Sequence, residues 1–188
     1  MRNFQQMLIA LGANLESGAF SLAETLRSAA KRLVTPQIRV AAISRLFASP
    51  CFPAGAGPDY INAAAVIETT LSPQAVLAHL HAVEAEFRRE RLQRWGQRTL
   101  DLDLVAVGDL VLPDLATQAQ WRNLPPADQP KVAPDRLILP HPRVQDRAFV
   151  LVPLADIAPD WRHPVLGLTV TQMLANLDPA DIRAVTPL

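Results

Sequence analysis

Asp101 and Asp103 alternate with leucines in RWGQRTLDLDLV, residues 94–105. Such alternation reads as a β-strand, on which residues two apart point to the same face, roughly 6 to 7 Å from one another. Two carboxylates at that range repel by about 2 kcal/mol at an effective dielectric of about 20, before any cost of burial. A divalent cation between them would turn the repulsion into affinity. Their oxygens are hard ligands that suit Mg2+, an ion that keeps waters and completes its shell with substrate phosphates. Arg88, Arg89, Arg91, Arg94 and Arg98 precede the pair, with Glu90 the only acid among them. Guanidinium groups grip phosphate oxygens bidentately, and the Trp95 indole can cover a flat ring. Together these describe a nucleotide phosphate-transfer site; the plainer alternative is a half-exposed strand with solvated carboxylates. Lys31 and Lys131 are the only lysines and neither follows a glycine, so no G-K-[ST] phosphate loop exists. Arginines and metal must hold any triphosphate.

The elements that position these groups follow from periodicity. Residues 7–12 read as a strand, GANLESG as a loop, and FSLAETLRSAAKRL as a helix with Leu22, Leu26, Ala29, Ala30 and Leu33 at helical spacing. IRVAAISRLFAS and YINAAAVIETTL read as strands on either side of PCFPAGAGPD, whose composition argues for a mobile surface loop. Ser72 and Pro73 mark a helix start, with Val76, Leu77, Leu80, Val83 and Phe87 on one apolar face and Glu84 at its border. TLDLDLVAVGDLVL is the next strand. The order strand, helix, strand, strand, helix, strand fits an α+β ferredoxin-like sandwich, an antiparallel sheet with helices packed on one face. Residues 114–135 are polar and proline-rich and are expected to form an extended loop insertion. LILPHPRVQDRAFVLVPLADIAP is again apolar, a short helix is expected near 169–177, and the tail from about 178 should fray.

With 188 residues, 49% hydrophobic and 19% charged, the chain is expected to be one globular domain spanning 1–188. Eighteen basic and eighteen acidic residues cancel, so no overall field favours nucleic acid or an anionic membrane. Cys51 is the only cysteine, which excludes an intrachain disulfide and suits a cytoplasmic location. MLIALGANL is short, lacks a basic leader and reads as a strand, and no apolar run reaches membrane-spanning length.

RWGQRTLDLDLV resembles the signature of the 6-hydroxymethyl-7,8-dihydropterin pyrophosphokinase family, which moves a pyrophosphoryl group from ATP to a pterin alcohol in folate biosynthesis. The resemblance runs from about residue 8 to 157, with ALGANL, DYINAAAVIETTL and LPHPRVQDRAFVLVPL as further anchors in order. It implies that Asp101 and Asp103 hold two Mg2+ ions and that Arg89, Arg91 and Arg98 contact phosphates. Leu104, Arg136, His141 and Arg147 match ATP contacts, Arg136 across the insertion. For the pterin, Tyr60 and Phe149 match an aromatic pair around the ring, Asn62 the amide that reads its polar edge, Trp95 a neighbouring wall, and Ser49 and Pro50 a usual Thr-Pro. Glu84 matches a carboxylate near the site. The resemblance implies a monomer with small-molecule substrates, and loops near 49–59 and 88–96 that close the cleft against water.

Ala13 replaces a usual serine, Gln97 a common proline, and Arg88 a frequent glycine before the mobile loop. Read without the family, Phe149 and Tyr60 could be packing residues, Asn62 a turn or edge residue, and His141 a loop histidine. Arg88, Arg94 and Arg143 are expected to be solvated surface charge, and His79 and His81 to lie on a helix face without a ligand. Two other functions compete: an RNA-binding module built on the same sandwich, and a D-x-D transferase with another acceptor. The neutral net charge and the lack of an aromatic pair on a central strand count against RNA.

Overall fold

The computed structural model describes residues 4–16, 20–51, 57–87, 99–129 and 131–188. Its sheet is built on β1 (Gln5–Ala13) and β4 (Tyr60–Thr69), which pair antiparallel from Gln5↔Thr69 to Ala13↔Ile61. β5 (Asp101–Val107) pairs with the other side of β1 and forms an edge of the sheet. Across β4, the expected second strand is divided into β2 (Ile38–Ile43) and β3 (Phe47–Ser49), both paired with β4. The break has a cause in side chains. Ser44 Oγ accepts from the Ala64 N–H at 2.8 Å, and the Arg45 N–H donates to Asp156 at 3.0 Å, so these residues leave the ladder with their backbone groups engaged.

α1 (Leu22–Leu33) begins at a Ser21–Glu24 capping box, and α2 (Pro73–Glu86) at Ser72, whose Oγ accepts from the Ala75 N–H. Both pack on one face of the sheet against Met7, Ile9, Leu11, Ala63, Ala65 and Ile67. The intervening residues Leu8, Ala64 and Val66 face the opposite way and are covered by α4 (Ala148–Ile157) and α5 (Val170–Ala175). Helices therefore lie on both faces, where the sequence reading expected one. The uninterrupted burial of Asn62–Ile67 explains this, because a strand covered on both sides has no solvent face to alternate with.

Two further expectations are corrected. Residues 114–135 are not wholly irregular: α3 (Leu115–Arg122) starts at Asp114, whose carboxylate accepts from the Thr117 N–H at 2.8 Å. The tail is also ordered, with α6 (Pro179–Arg183) and β6 (Thr186–Pro187), the latter pairing with β3 and followed by a Leu188 N–H bond to Leu46 O at 3.0 Å. Among the described residues no helix is long and apolar enough to cross a membrane.

Candidate active site

Register lines up the groups on the α4-bearing face. Asp101 is opposite Gly12, Gly12 is opposite Asn62, and Asn62 is opposite Phe47, so one row crosses β5, β1, β4 and β3. Two strand spacings, roughly 10 Å, separate the Asp101 and Asn62 backbones. In the next row on the same face Asp103 is opposite Ala10 and Ala10 opposite Ala64. Leu102 between the aspartates points into the core on the other face. Local alternation thus delivers both carboxylates, half-buried, to one side of an edge strand.

Arg147, the residue before α4, brings its Nη1 to 4.0 Å from Asp103 Oδ2, and its guanidinium lies 5.6 Å from the Phe149 ring centre. Phe149 in turn packs against the cluster of Phe47, Ala148 and Val185, and Phe47 is the cross-strand partner of Asn62. Asn62 is buried, and its Nδ2 donates to Ser49 Oγ at 2.8 Å. That bond fixes the amide so that Oδ1 remains an acceptor beside Gly12. A Cβ at Gly12 would stand 3.4 Å from Asn62 Oδ1 and 3.8 Å from Tyr60 Cδ1. Glycine there keeps the space between the Tyr60 ring and the Asn62 amide clear of any side chain.

His141 is held by its own loop. Its N–H donates to Val105 O at 2.7 Å, and its Nδ1 accepts from the Arg143 N–H at 3.1 Å. An accepting Nδ1 puts the proton of the neutral ring on Nε2. Burial, and then the positive charge of Arg147, push the His141 pKa down to about 3. The ring therefore offers one N–H and no charge at neutral pH.

A cavity of about 320 Å³ wraps the outer side of β5 and is lined by Asp103, Leu104, Arg136, His141 and Arg147 together with Leu77 of α2 and residues of the 114–143 segment. The volume lies in the range of small-molecule sites. The structure thus brings together every ATP contact expected from the sequence among the described residues. Leu104 is nonetheless 3% exposed and belongs to the core beneath α1 and α2. Arg136 is exposed and pairs with Asp135 at 3.0 Å. Ser49, Tyr60, Asn62 and Phe149 gather on the other side of β1, with exposed Pro50 following β3. Arg88, Arg89, Arg91, Arg94, Trp95, Gln97 and Arg98 lie outside the described residues, as do residues 52–56 of the proline-rich loop.

Arg143 departs from the sequence reading. Its side chain is only 12% exposed, and its guanidinium donates to Arg122 O at 2.8 Å, Trp121 O at 2.8 Å and Leu124 O at 3.1 Å, capping the C-terminal end of α3. Leu77, Trp121 and Arg143 are site residues that the sequence reading missed. The HPR triplet was the available signal for Arg143, but its partners lie about twenty residues upstream.

As a metal site, Asp101 and Asp103 present oxygens from one face, the donor chemistry Mg2+ prefers. No cluster of three or more His, Cys, Asp or Glu occurs among the described residues, so water and phosphate oxygens would have to complete a shell. The residues fit a hydrated Mg2+ shared with a phosphorylated substrate.

An antiparallel sheet carrying two adjacent carboxylates with a guanidinium beside them, and a cavity of small-molecule size along its edge, has the build of a nucleotide-dependent transferase. A sequence profile of the 7,8-dihydro-6-hydroxymethylpterin-pyrophosphokinase family matches residues 8–159. The chain is 43% identical over 130 residues to a 2-amino-4-hydroxy-6-hydroxymethyldihydropteridine pyrophosphokinase of Synechocystis, an alignment covering 69% of this chain and 56% of the relative. It is 36% identical over 177 residues to the protein of that name from Methylorubrum extorquens, covering 94% and 96% of the two chains. A Plasmodium falciparum HPPK-DHPS crystal structure with pteroate shares the fold with a TM-score of 0.64 at 13% identity, over 93% of this chain and 43% of that one. The chain belongs to the 7,8-dihydro-6-hydroxymethylpterin-pyrophosphokinase family, whose members are ATP-dependent pyrophosphokinases of folate biosynthesis.

The site's histidine chemistry has a consequence for stability. His163 is fully buried, its Nδ1 accepts from the Val165 and Leu166 N–H groups at 3.2 Å, and burial followed by the Arg122 charge lowers its pKa to about 4. For His141 and His163 alike the folded pKa lies below the unfolded value of about 6.5, so the unfolded chain binds protons that the folded chain refuses. Their contribution is complete above about pH 6.5 and is lost as pH falls towards 4. Melting temperature should drop between pH 7 and pH 4.5, and His163→Asn should flatten that drop. Equal slopes for the two proteins would remove His163 from the account.

Proposed function

We propose that this chain transfers the pyrophosphoryl group of ATP to the hydroxymethyl oxygen of 6-hydroxymethyl-7,8-dihydropterin and releases AMP. The observation that carries the reading is the row Asp101–Gly12–Asn62, which sets a carboxylate and a buried amide two strands apart on one face of the sheet. The pterin oxygen bonds to the β-phosphorus, the bond from that phosphorus to the α–β bridging oxygen breaks, and the hydroxyl proton is released. Asp101 and Asp103 would hold two Mg2+ ions, which would supply charge neutralisation along the phosphates. Arg147 and Arg136, with Arg89, Arg91 and Arg98, grip phosphate oxygens, and the His141 Nε2–H donates a further hydrogen bond. Leu104 lines the nucleotide side. Asn62 reads the pterin amide edge through Oδ1, with Nδ2 committed to Ser49; Tyr60 and Phe149 cover the ring, and Trp95 and Pro50 border it.

The same reading takes the chain as one domain acting as a monomer, as the family resemblance implies. A buried lone cysteine, Cys51, suits the cytoplasm.

Incubating the protein with Mg-ATP and the pterin should give AMP and the pterin diphosphate. ADP as product would mean ordinary kinase chemistry and overturn the reading. In the same assay Gly12→Val should raise the pterin KM at least about tenfold, because its side chain enters the space beside Asn62 and Tyr60. An unchanged KM would place the pterin elsewhere.

A further inference from the structure

Residues 114–135 take no part in the chemistry proposed above, yet they build one side of its cavity. The lining is of two kinds. Asp103, His141 and Arg147 supply charge and hydrogen bonding, whereas Trp121, Leu124, Val132 and Pro134 of the insertion supply apolar surface, and Gln129 an amide. This wall is anchored to the segment that carries His141. Gln118, fully buried on α3, donates from Nε2 to Pro140 O at 3.2 Å, and Leu112 and Leu139 exchange backbone bonds at 2.9 and 3.1 Å. Arg143 fastens the end of α3 through three carbonyls while its own N–H holds the His141 ring. One residue thus sets both the wall and the histidine.

A ligand whose phosphates meet the Asp103 and Arg147 side needs a flat, largely apolar place for the rest of its structure. An indole with aliphatic neighbours suits a nucleobase, which stacks on aromatic faces and has little charge to solvate. We infer that the 114–135 insertion forms the base-binding wall of the nucleotide site, with Trp121 and Val132 against the purine. The inference rests on the ATP-dependent reading above.

The test is calorimetric titration of the full-length chain, without pterin, with Mg-ATP and separately with Mg-tripolyphosphate, which has the phosphates and no base. Trp121→Ala should weaken Mg-ATP binding about tenfold, the scale of one lost stacking contact, and leave tripolyphosphate binding within about twofold. Val132→Asn, at a position 43% exposed and therefore tolerant of a neutral polar side chain, should act in the same direction without adding charge near the phosphates. It also serves if the tryptophan variant melts early. Mg-ATP affinity unchanged in both variants overturns the inference and leaves the ATP reading standing. Equal losses for both ligands overturn it too, since the segment would then support the phosphate side. A wild-type chain that binds no Mg-ATP defeats the inference together with the reading beneath it.

Discussion

Asp101→Asn and Asp103→Asn are each expected to lower kcat by about 10³-fold or more while shifting the melting temperature by only a few degrees. The size follows from what the carboxylates are asked to do. Charge stabilisation of a transferring phosphoryl group by carboxylate-held metal is worth several kcal/mol, and each 1.36 kcal/mol is about tenfold in rate. Asparagine keeps the shape and removes the charge. The small stability effect follows from position: both residues are half-buried on an edge strand, away from the apolar core beneath Leu102. Asp103 gives up a partly exposed ion pair with Arg147 at 4.0 Å, worth about 1 kcal/mol at most, and loses its repulsion with Asp101. AMP formation measured against Mg2+ concentration, beside thermal melts, separates chemistry from folding. Wild-type kcat in either variant would remove that residue from the metal site.

The aspartates could be found in the sequence because strand alternation is a local signal, and so were α1 and α2, whose caps and apolar stripes lie within a few residues of each other. α4 was not, because AFVLVPLADI is apolar on every side: with the sheet on one side and α5 on another, little polar face remains to reveal a helical period. α3 shows the opposite difficulty. Leu115, Ala116, Ala119 and Trp121 make no continuous stripe, and the helix is held by Gln118 to Pro140 and by Arg143, contacts about twenty residues away in the chain. Arg143 looked like surface charge for the same reason. The two-sided covering of the sheet did leave a mark, the apolar run AAAVI in β4, which a strand with one wet face would not carry. Gly12 was legible only as a loop-proximal glycine, since its value lies in the cross-strand register that sets it between Asp101 and Asn62.

Glu84→Ala should weaken the fold and disturb the Asp101–Asp103 pair together. Glu84 is 2% exposed near the end of α2, and its Oε1 accepts from the Leu102 N–H at 2.8 Å. That amide lies between the two aspartates on the side of β5 that β1 does not pair, where a strand edge needs another acceptor. Alanine deletes a charge-assisted bond and leaves a buried N–H unmatched, at a cost of about 2 to 3 kcal/mol, which lowers the melting temperature by about 5 to 10 °C in a chain of this size. Because the freed amide carries the backbone between Asp101 and Asp103, the Mg2+ concentration for half-maximal rate should also rise, measured well below the melting transition. Glu84→Gln retains a carbonyl acceptor for the same N–H and should recover much of the lost stability and the Mg2+ dependence. An alanine variant with the wild-type melting temperature would show that the Leu102 bond does not hold β5. One that melts early but keeps the wild-type Mg2+ dependence would limit Glu84 to the fold and separate its packing from the position of the aspartates.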